Sequence, residues 1–192
     1  MVHIIIIHPI GVWVKKWWWL MVKIAVIGYS GSGKSTLAAR LAEEQGICPL
    51  HLDTVFWLPG WEHRTREEMR LLVGEYLDAH GHWVIDGNYS KILFDRRMSE
   101  ADHIILLQFS RIACLFRAWK RYRTYRGKSR SSMTEGCPEK LDGEFVRWVL
   151  WNGRKKEHRD LFRSVQTDYP EKVFVIRNQR QLDRFEAGWK HA

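Results

Sequence analysis

The chain has 192 residues, and its 45% share of hydrophobic residues is sufficient for the core of one compact domain. It carries 31 Lys and Arg against 22 Asp and Glu, a formal net charge of +9, which favours anionic partners such as nucleotides, phosphorylated substrates or nucleic acid. The three cysteines, Cys48, Cys114 and Cys137, show no C-x-x-C spacing. This pattern argues against a disulfide framework and predicts a reducing compartment, the cytoplasm.

Residues 1–20 are more apolar and richer in tryptophan than the rest of the chain. Lys15, Lys16 and Pro9 interrupt this run, which disfavours a transmembrane helix of about 20 apolar residues. A secretory signal would place its positive charge before the apolar stretch and small residues at a cleavage site behind it. Neither feature is present in this segment. We therefore interpret 1–20 as a non-native or disordered extension, expect no membrane association, and assign the functional domain to 21–192.

From residue 23 onward, short apolar strands alternate with amphipathic helices. The first helix places Leu37, Ala38, Leu41 and Ala42 on one face. The predicted strands cover 23–27, 50–52, 82–85, 103–109 and 172–176, and further helices cover 66–79, 112–121 and 179–189. This alternation predicts an α/β protein with a five-stranded parallel sheet and helices on both faces, the three-layer arrangement of P-loop NTPases.

The pattern breaks down between residues 122 and 145, where Gly127, Gly136, Pro138 and Gly143 interrupt a polar run. Helical character then returns through residues 145–165. No Pro- or Ser-rich linker separates this stretch from the rest of the chain, so it belongs to the same domain. We predict a mobile lid inserted into the single domain.

The segment from Gly28 to Ser35 reads GYSGSGKS and fits the phosphate-binding pattern G-x-x-x-x-G-K-[ST] between a strand and a helix. Its glycines allow successive N–H groups to converge on phosphate oxygens at a helix N-terminus. Lys34 adds positive charge at the β and γ phosphates, and the Ser35 hydroxyl is the expected Mg²⁺ ligand. A glycine-rich turn without a ligand is the alternative. The predicted nucleotide-binding residues are Gly28, Ser30, Gly31, Ser32, Gly33, Lys34, Ser35 and Thr36.

Two carboxylates follow predicted strands. Asp53 and Asp86 should therefore face the same crevice as the phosphate loop, beyond the carboxyl ends of the sheet. Asp86, preceded by Trp-Val-Ile, is the better candidate to orient Mg²⁺ with Ser35, whereas Asp53 is predicted to share the metal or contact the acceptor. Asn88 and Tyr89 would line the acceptor side. The alternative is that each aspartate caps a helix or a turn.

Residues 111–130 contain eight Lys and Arg and no acidic residue. Arg117 and Arg121 are four apart, so they share one helix face and are predicted to neutralise charge on the transferring phosphoryl group. A closing lid would deliver that charge and exclude water. The alternative for the other arginines is a solvated basic face.

Aromatic residues, including Phe116 and Trp119, alternate with the basic residues of this stretch. Such a mixture also occurs on surfaces that bind single-stranded nucleic acid. The helical spacing of Phe116 and Trp119 instead predicts that they belong to the core.

The segments GYSGSGKSTLA, LHLDTVFWLPGW, WVIDGNYS, YRGKSR and EGCPEKLDGEFVRWVLWN resemble the adenylate kinase-like P-loop proteins described as DNA topology modulation protein FlaR. The resemblance extends from Met21 to the C-terminus. It implies a small nucleotide kinase whose lid arginines correspond to Arg117 and Arg121. It also implies that Asn152 and Arg154 return toward the phosphates.

The chain departs from related kinases after Asp86-Gly87. Where those kinases continue their Asp-Gly with Phe-Pro-Arg, this chain has Asn88-Tyr89-Ser90. The replacement removes an arginine that nucleoside monophosphate kinases direct at the acceptor. Candidates to replace it are Arg64, Arg66, Arg96 and Arg97.

Two functional hypotheses follow. The first is an ATP- and Mg²⁺-dependent kinase that transfers the γ-phosphoryl group to a small acceptor bound by Asp53, Arg64, Asn88 and Tyr89. The second is a nucleic-acid-binding protein gated by ATP, with little kinase activity. A guanine-specific switch is disfavoured because the chain lacks the N-K-x-D signature.

Overall fold

A computed structural model of the protein describes residues 22–189. The interpretation of 1–20 as an extension falls outside these residues. Two 3-10 turns, Pro59–Trp61 and Asn152–Arg154, connect the regular elements. The strands are β1 Lys23–Gly28, β2 Leu50–His51, β3 Trp57–Leu58, β4 Glu62–His63, β5 Trp83–Asp86, β6 His103–Leu107 and β7 Val173–Ile176. The helices are α1 Lys34–Glu44, α2 Leu52–Phe56, α3 Arg66–Ala79, α4 Phe94–Glu100, α5 Arg111–Tyr125, α6 Gly143–Leu150, α7 Lys156–Asp168 and α8 Gln179–Trp189.

The main sheet has the strand order β2-β5-β1-β6-β7, and all four strand pairs are parallel. In this register Val26 pairs with Asp86, and Gly28 pairs with Leu107. Because every strand ends at the same edge, the loops after β1, β2 and β5 meet there. The predicted five-stranded parallel sheet is confirmed.

The residues of β1 alternate between two cores on opposite faces of the sheet. Ala25 and Ile27 pack with residues of α3, α4 and α7, whereas Ile24 and Val26 pack with residues of α1, α5, α6 and α8. A strand buried on both faces is expected in a parallel sheet covered by helices. The helices therefore form two outer layers around the sheet, as predicted.

Several boundaries differ from the sequence-based expectation. The strand predicted for 50–52 ends at His51, and Leu52 begins α2. The strand predicted for 103–109 ends at Leu107, and α5 continues to Tyr125. The irregular part of the predicted lid accordingly spans 126–142.

Several small elements were missed, among them the five-residue helix α2. The β3–β4 hairpin has only two residues in each strand, too few to show an alternating pattern. Helix α4 has seven residues, and its buried face includes Arg97. An arginine at a core position hides the apolar periodicity that would indicate a helix.

The core prediction for Phe116 and Trp119 is wrong. Their side chains are 60% and 42% exposed, respectively. Helix α5 buries Cys114 and Ala118 instead, because only this face is turned toward the sheet. Within residues 22–189, no helix has both the length and the apolarity needed to cross a bilayer.

Candidate active site

The phosphate loop lies between the end of β1 and the start of α1, where its glycines make close backbone contacts. Gly28 has a φ of 141°, and a Cβ atom on it would collide with the backbone of Leu107. Gly31 has a φ of 78°, and a Cβ atom there would lie 2.5 Å from the Cys114 carbonyl oxygen. Both positions therefore require glycine. Strand β6 and helix α5 therefore pack directly against the backbone of the loop.

The N-terminus of α1 has features of an anion site. Its N-cap is Gly33, which has no side chain to satisfy the first N–H groups of the helix. The neighbouring Ser32 is fully buried, and its hydroxyl has no hydrogen-bond partner among the described residues. Buried polar atoms are normally bonded. The loop can thus offer backbone and hydroxyl donors to a phosphate.

The Lys34 ammonium group donates to the Tyr29 carbonyl oxygen at 3.1 Å, across the phosphate loop. Burial lowers the pKa of Lys34, while the nearby carboxylates of Asp53 and Asp86 raise it. Arg121 is also close enough to contribute, and it lowers the pKa further. Asp53, Asp86 and Arg121 therefore each lie within electrostatic range of Lys34.

Ser35 and Asp86 are hydrogen bonded. The Ser35 hydroxyl donates to Asp86 Oδ2 at 2.8 Å, and Asp86 Oδ1 contacts His51 Nδ1. The Asp86 carboxylate is buried and joins the phosphate loop to the end of β5. It is not the N-cap of the following helix, α4, which is Leu93.

The oxygen donors at this edge fit Mg²⁺, a hard cation that prefers hydroxyl and carboxylate oxygens. Ser35, Asp86 and Asp53 supply such donors. Residues 22–189 contain no group of three or more His, Cys, Asp or Glu side chains suited to a metal ion. A nucleotide-bound Mg²⁺ does not need one, because phosphates and water provide most of its ligands.

The Asp53 carboxylate lies in the first turn of α2 and accepts a hydrogen bond from the Tyr89 hydroxyl at 2.8 Å. Burial raises the pKa of Tyr89 far above its usual value, and the charge of Asp53 contributes to this increase. Tyr89 therefore remains a hydrogen-bond donor at neutral pH. On the other side, Arg130 Nη2 lies 3.8 Å from Asp53 Oδ2.

Asn88 binds the phosphate loop. Its amide oxygen accepts from Gly28 N, and its amide nitrogen donates to Gly28 O, both at 2.9 Å. This double hydrogen bond ties the loop after β5 to the end of β1. Asn88 therefore contacts the phosphate loop, on the nucleotide side of the site, whereas the sequence analysis predicted it on the acceptor side.

Arg97 supports the turn that contains Asn88 and Tyr89. Its guanidinium group is buried and donates to the carbonyl oxygens of Gly87, Asn88, Tyr89 and Ile92 at 3.0–3.2 Å. Burial lowers its pKa to about 10. The hydrogen bonds of Arg97 thus stabilise the backbone of this turn.

The two predicted catalytic arginines have different partners. Arg117 donates to the Ser32 carbonyl oxygen at 3.0 Å and to Gln179, with its guanidinium 4.1 Å from the centre of the Phe109 ring. Arg121 donates to Glu139 through Nε at 2.8 Å. Arg117 therefore contacts the phosphate loop directly, whereas Arg121 connects α5 to the lid.

The other arginines suggested for the acceptor are also bonded or lie on the surface. Arg64 donates to the Val55 carbonyl oxygen at 2.7 Å. Arg96 forms partly exposed ion pairs with Asp78 and Glu100, and Arg66 is exposed at the start of α3. None of these contacts involves Asp53 or Tyr89.

Sequence reasoning missed His51, Trp148 and Arg130. Trp148 Nε1 donates to the Ser30 hydroxyl at 2.9 Å, so α6 contacts the phosphate loop. His51 is the residue at the end of β2, a position that predicts proximity to Asp86 once the strand order is known. Arg130 was noted only as part of the basic stretch.

Arg154 lies beneath the phosphate loop. It donates to the Phe109 carbonyl oxygen at 2.9 Å and contacts the Cys114 sulfur at 3.2 Å. Its guanidinium is 3.8 Å from the centre of the Tyr29 ring. Arg154 therefore lies next to the phosphate loop. The family resemblance implied that this residue returns toward the phosphates, and its position is compatible with that expectation.

Comparisons with known proteins add family information. A family model described as an AAA domain matches residues 24–135. Among solved structures, deoxyadenosine kinase from M. mycoides with bound dATP is similar with a TM-score of 0.45 and 16% identity, covering 89% of this chain and 100% of that chain. No curated protein matches the chain significantly. Because the family model covers more than half of the sequence, from β1 through the phosphate loop and into the lid, the chain belongs to this AAA domain family.

Proposed function

We propose that the protein is an ATP-dependent phosphotransferase of the adenylate kinase-like type, which transfers the γ-phosphoryl group to a small acceptor. The observation that carries this proposal is the hydrogen bond between Ser35 and Asp86, with Lys34 beside both. It joins the hydroxyl of the phosphate loop to a strand-end carboxylate, the pair of oxygen donors that P-loop kinases use around nucleotide and metal. The sequence resemblance to FlaR proteins agrees with this class.

On the nucleotide side, the phosphate loop would hold the β and γ phosphates. The uncapped N-terminus of α1 and the unbonded hydroxyl of Ser32 support an anionic ligand. The proposed contacts are those predicted from the sequence, from Gly28 to Thr36. The free thiols of Cys48, Cys114 and Cys137 support an assignment to the reducing cytoplasm.

During transfer, the chain would contribute position and positive charge. Lys34 and Arg117 would neutralise the phosphate oxygens, and Arg121 would add charge from the lid side. Ser35 would hold Mg²⁺ directly, and Asp86, with Asp53, through its water shell; the metal would neutralise phosphate charge.

The lid would exclude water from the transferring group. Thr134 donates to the Trp57 carbonyl oxygen at 2.6 Å, and the Cys137 thiol donates to the Leu58 carbonyl oxygen at 3.1 Å. The lid thus lies against the segment that follows α2. This contact would enclose the acceptor side, where Asp53, Arg64 and Tyr89 are the proposed substrate residues and Asn88 positions the loop.

A second candidate function has its own support. Phe116 and Trp119 are exposed on α5, and the Arg123 guanidinium lies 4.9 Å from the centre of the Trp119 ring. Exposed aromatic rings next to basic side chains suit single-stranded nucleic acid. In this alternative, ATP binding gates nucleic-acid binding and kinase activity is weak.

One substitution separates the two functions. Lys34→Ala should reduce phosphoryl transfer by at least about 100-fold, because it removes a charge that acts on the transferring phosphate. Lys156→Ala is the matched control, since Lys156 is exposed and forms a surface ion pair with Asp160. Transfer is measured as ADP release across nucleosides, nucleotides and small metabolites.

Retention of a single-stranded oligonucleotide is measured in parallel, without ATP and at moderate salt. If transfer is unaffected by Lys34→Ala, the kinase proposal fails. If no transfer is found but the variant still retains the oligonucleotide, the second function is favoured. Retention that decreases steeply with salt would identify unspecific electrostatic binding.

A further inference from the structure

Trp148 on α6 forms a polar contact with the phosphate loop that the proposed function does not use. Its indole Nε1 atom donates to the Ser30 hydroxyl oxygen at 2.9 Å. Trp148 is 40% exposed, whereas the neighbouring Val149 is buried and anchors α6 in the core. Core packing by itself therefore does not explain the position of the indole.

The direction of this hydrogen bond follows from the chemistry of the two groups. An indole N–H can only donate, whereas a serine hydroxyl accepts through its lone pairs and donates one proton. Because Ser30 accepts from Trp148, its own proton is left for a second partner. Within residues 22–189, the Ser30 hydroxyl donates to no protein group. Since Ser30 belongs to the phosphate loop, a phosphate oxygen is the acceptor expected beside it.

Two arginines hold the end of α6 that carries the indole. Arg111 Nε donates to the Leu150 carbonyl oxygen at 2.7 Å, and Arg154 Nε donates to the Val149 carbonyl oxygen at 3.1 Å. Carbonyl groups in the last turn of a helix lack partners within the helix, and basic side chains can satisfy them. The indole is therefore presented to Ser30 from a helix end that is fixed on two sides.

The surroundings of the ring also limit its orientation. A Cβ atom on Gly153 would lie 3.0 Å from both Nε1 and the carbonyl oxygen of Trp148, so the glycine leaves the room that the indole occupies. The His158 ring meets the indole edge to face, with ring centres 5.5 Å apart. These contacts hold Nε1 at its distance from Ser30.

We propose that Trp148 is a positioning residue of the phosphate loop: its indole N–H holds the Ser30 oxygen, so that the Ser30 proton is directed at a phosphate oxygen of ATP. This inference rests on the proposed kinase function. Ser30 is the group that touches the nucleotide, and Trp148 acts through it. A hydroxyl that accepts one hydrogen bond becomes a better donor in another, and a bond to a charged phosphate is stronger than a bond to a neutral acceptor.

Calorimetric titration with ATP tests this role. Ser30→Ala should weaken ATP binding by about 10-fold, the loss expected for a hydrogen bond to a charged group. Trp148→Phe keeps an aromatic ring and removes the N–H, and it should weaken ATP binding by about 5-fold. The variant that carries both changes should bind ATP as Ser30→Ala does, because the indole acts through the hydroxyl. Losses that multiply in the double variant overturn the inference.

Two further variants separate this role from a structural one. Ser30→Thr keeps the hydroxyl and should recover most of the affinity that Ser30→Ala loses. Trp151→Phe is the matched control, since Trp151 is 61% exposed just after α6, and its ATP affinity should equal that of the wild type. A similar loss of affinity in Trp151→Phe and Trp148→Phe would contradict a specific role for the Trp148 N–H.

A measurement on the wild-type protein does not depend on the stability of any variant. The indole N–H resonance of Trp148, identified by its contacts with the His158 ring, is followed by NMR during addition of ATP. Donation by Ser30 to a phosphate strengthens the hydrogen bond that Ser30 accepts, so the indole proton should shift downfield. An indole proton that does not shift when ATP binds overturns the inference.

Failure of this role and failure of the kinase function give different results. A wild-type protein that binds ATP no better than Lys34→Ala contradicts the kinase function itself. ATP binding that is strong and equal in the wild type, Ser30→Ala and Trp148→Phe contradicts only the role assigned to Trp148 and Ser30.

Discussion

Arg96 and Arg97 are adjacent in the sequence and have opposite environments. Arg96 forms ion pairs with Asp78 and Glu100 that are partly exposed, so that solvent screens the interaction. Arg97 is buried, has no carboxylate partner within residues 22–189, and binds the carbonyl oxygens of the turn after β5. With a pKa of about 10, Arg97 is charged at neutral pH. Its charge is therefore stabilised by backbone dipoles.

Replacing Arg97 should destabilise the fold much more than replacing Arg96. We expect Arg97→Met to lower the free energy of unfolding by about 3 kcal/mol, because several buried carbonyl oxygens lose their donor. Arg96→Met should cost less than about 1 kcal/mol. Urea denaturation at neutral pH measures both values. Equal losses would show that the carbonyl contacts of Arg97 contribute little.

At the level of elements, the phosphate loop depends on the close packing of β1 against β6. Gly28 is paired with Leu107 in the sheet and adopts a φ of 141°. Its N–H and carbonyl groups are both bonded by the Asn88 side chain. A side chain at this position would disturb the sheet and the loop together.

Gly28→Ala should therefore lower the free energy of unfolding by about 3 kcal/mol, from steric overlap with backbone and from backbone strain. It should also weaken ATP binding. Gly46 is the matched control, because its φ is also positive, at 66°, but no atom lies within 4 Å of a Cβ built there. Gly46→Ala should cost about 1 kcal/mol and leave ATP binding unchanged. Thermal unfolding with and without ATP measures both effects, and similar results for the two variants would contradict this explanation.

At the level of the whole molecule, the segment 126–142, which the sequence predicts to be a lid, is hydrogen bonded to the β3–β4 hairpin, and we call the two together the cap. Thr134 and Cys137 bond carbonyl oxygens of β3, and Gly60 N donates to Gly136 O at 3.1 Å. Glu139 connects this cap to α5 through Arg121. We infer that the lid and the hairpin open together.

Thr134→Val removes the hydroxyl that joins the two parts and keeps a similar volume. Amide hydrogen exchange should become about 5-fold faster in both 126–142 and 57–63, as expected for the loss of a hydrogen bond worth about 1 kcal/mol. The strands of the main sheet should not change. Thr167→Val is the control, since the Thr167 hydroxyl bonds only within α7. Faster exchange in the lid alone would indicate that the two parts move separately.

Local sequence patterns were sufficient for the fold and for much of the candidate site. The predicted bounds of α3 and α8 agree with the structure, because helical periodicity and helix-ending residues are local features. The phosphate loop and the positions of Asp53 and Asp86 follow from short motifs at strand ends. These motifs identify residues that approach the same edge of a parallel sheet.

Only the tertiary structure decided how these residues are paired. His51 meets Asp86 because β2 lies beside β5, and Trp148 reaches Ser30 across 118 positions of sequence. The sequence likewise could not distinguish Arg97, which is buried and bonded to carbonyl oxygens, from the partly exposed Arg96. Spacing along one element determines which residues share a face, whereas strand order and helix packing determine what that face contacts. The phosphate-loop motif could therefore be recognised locally, whereas the contacts of Asp86 with His51 and of Ser30 with Trp148 arose from long-range packing.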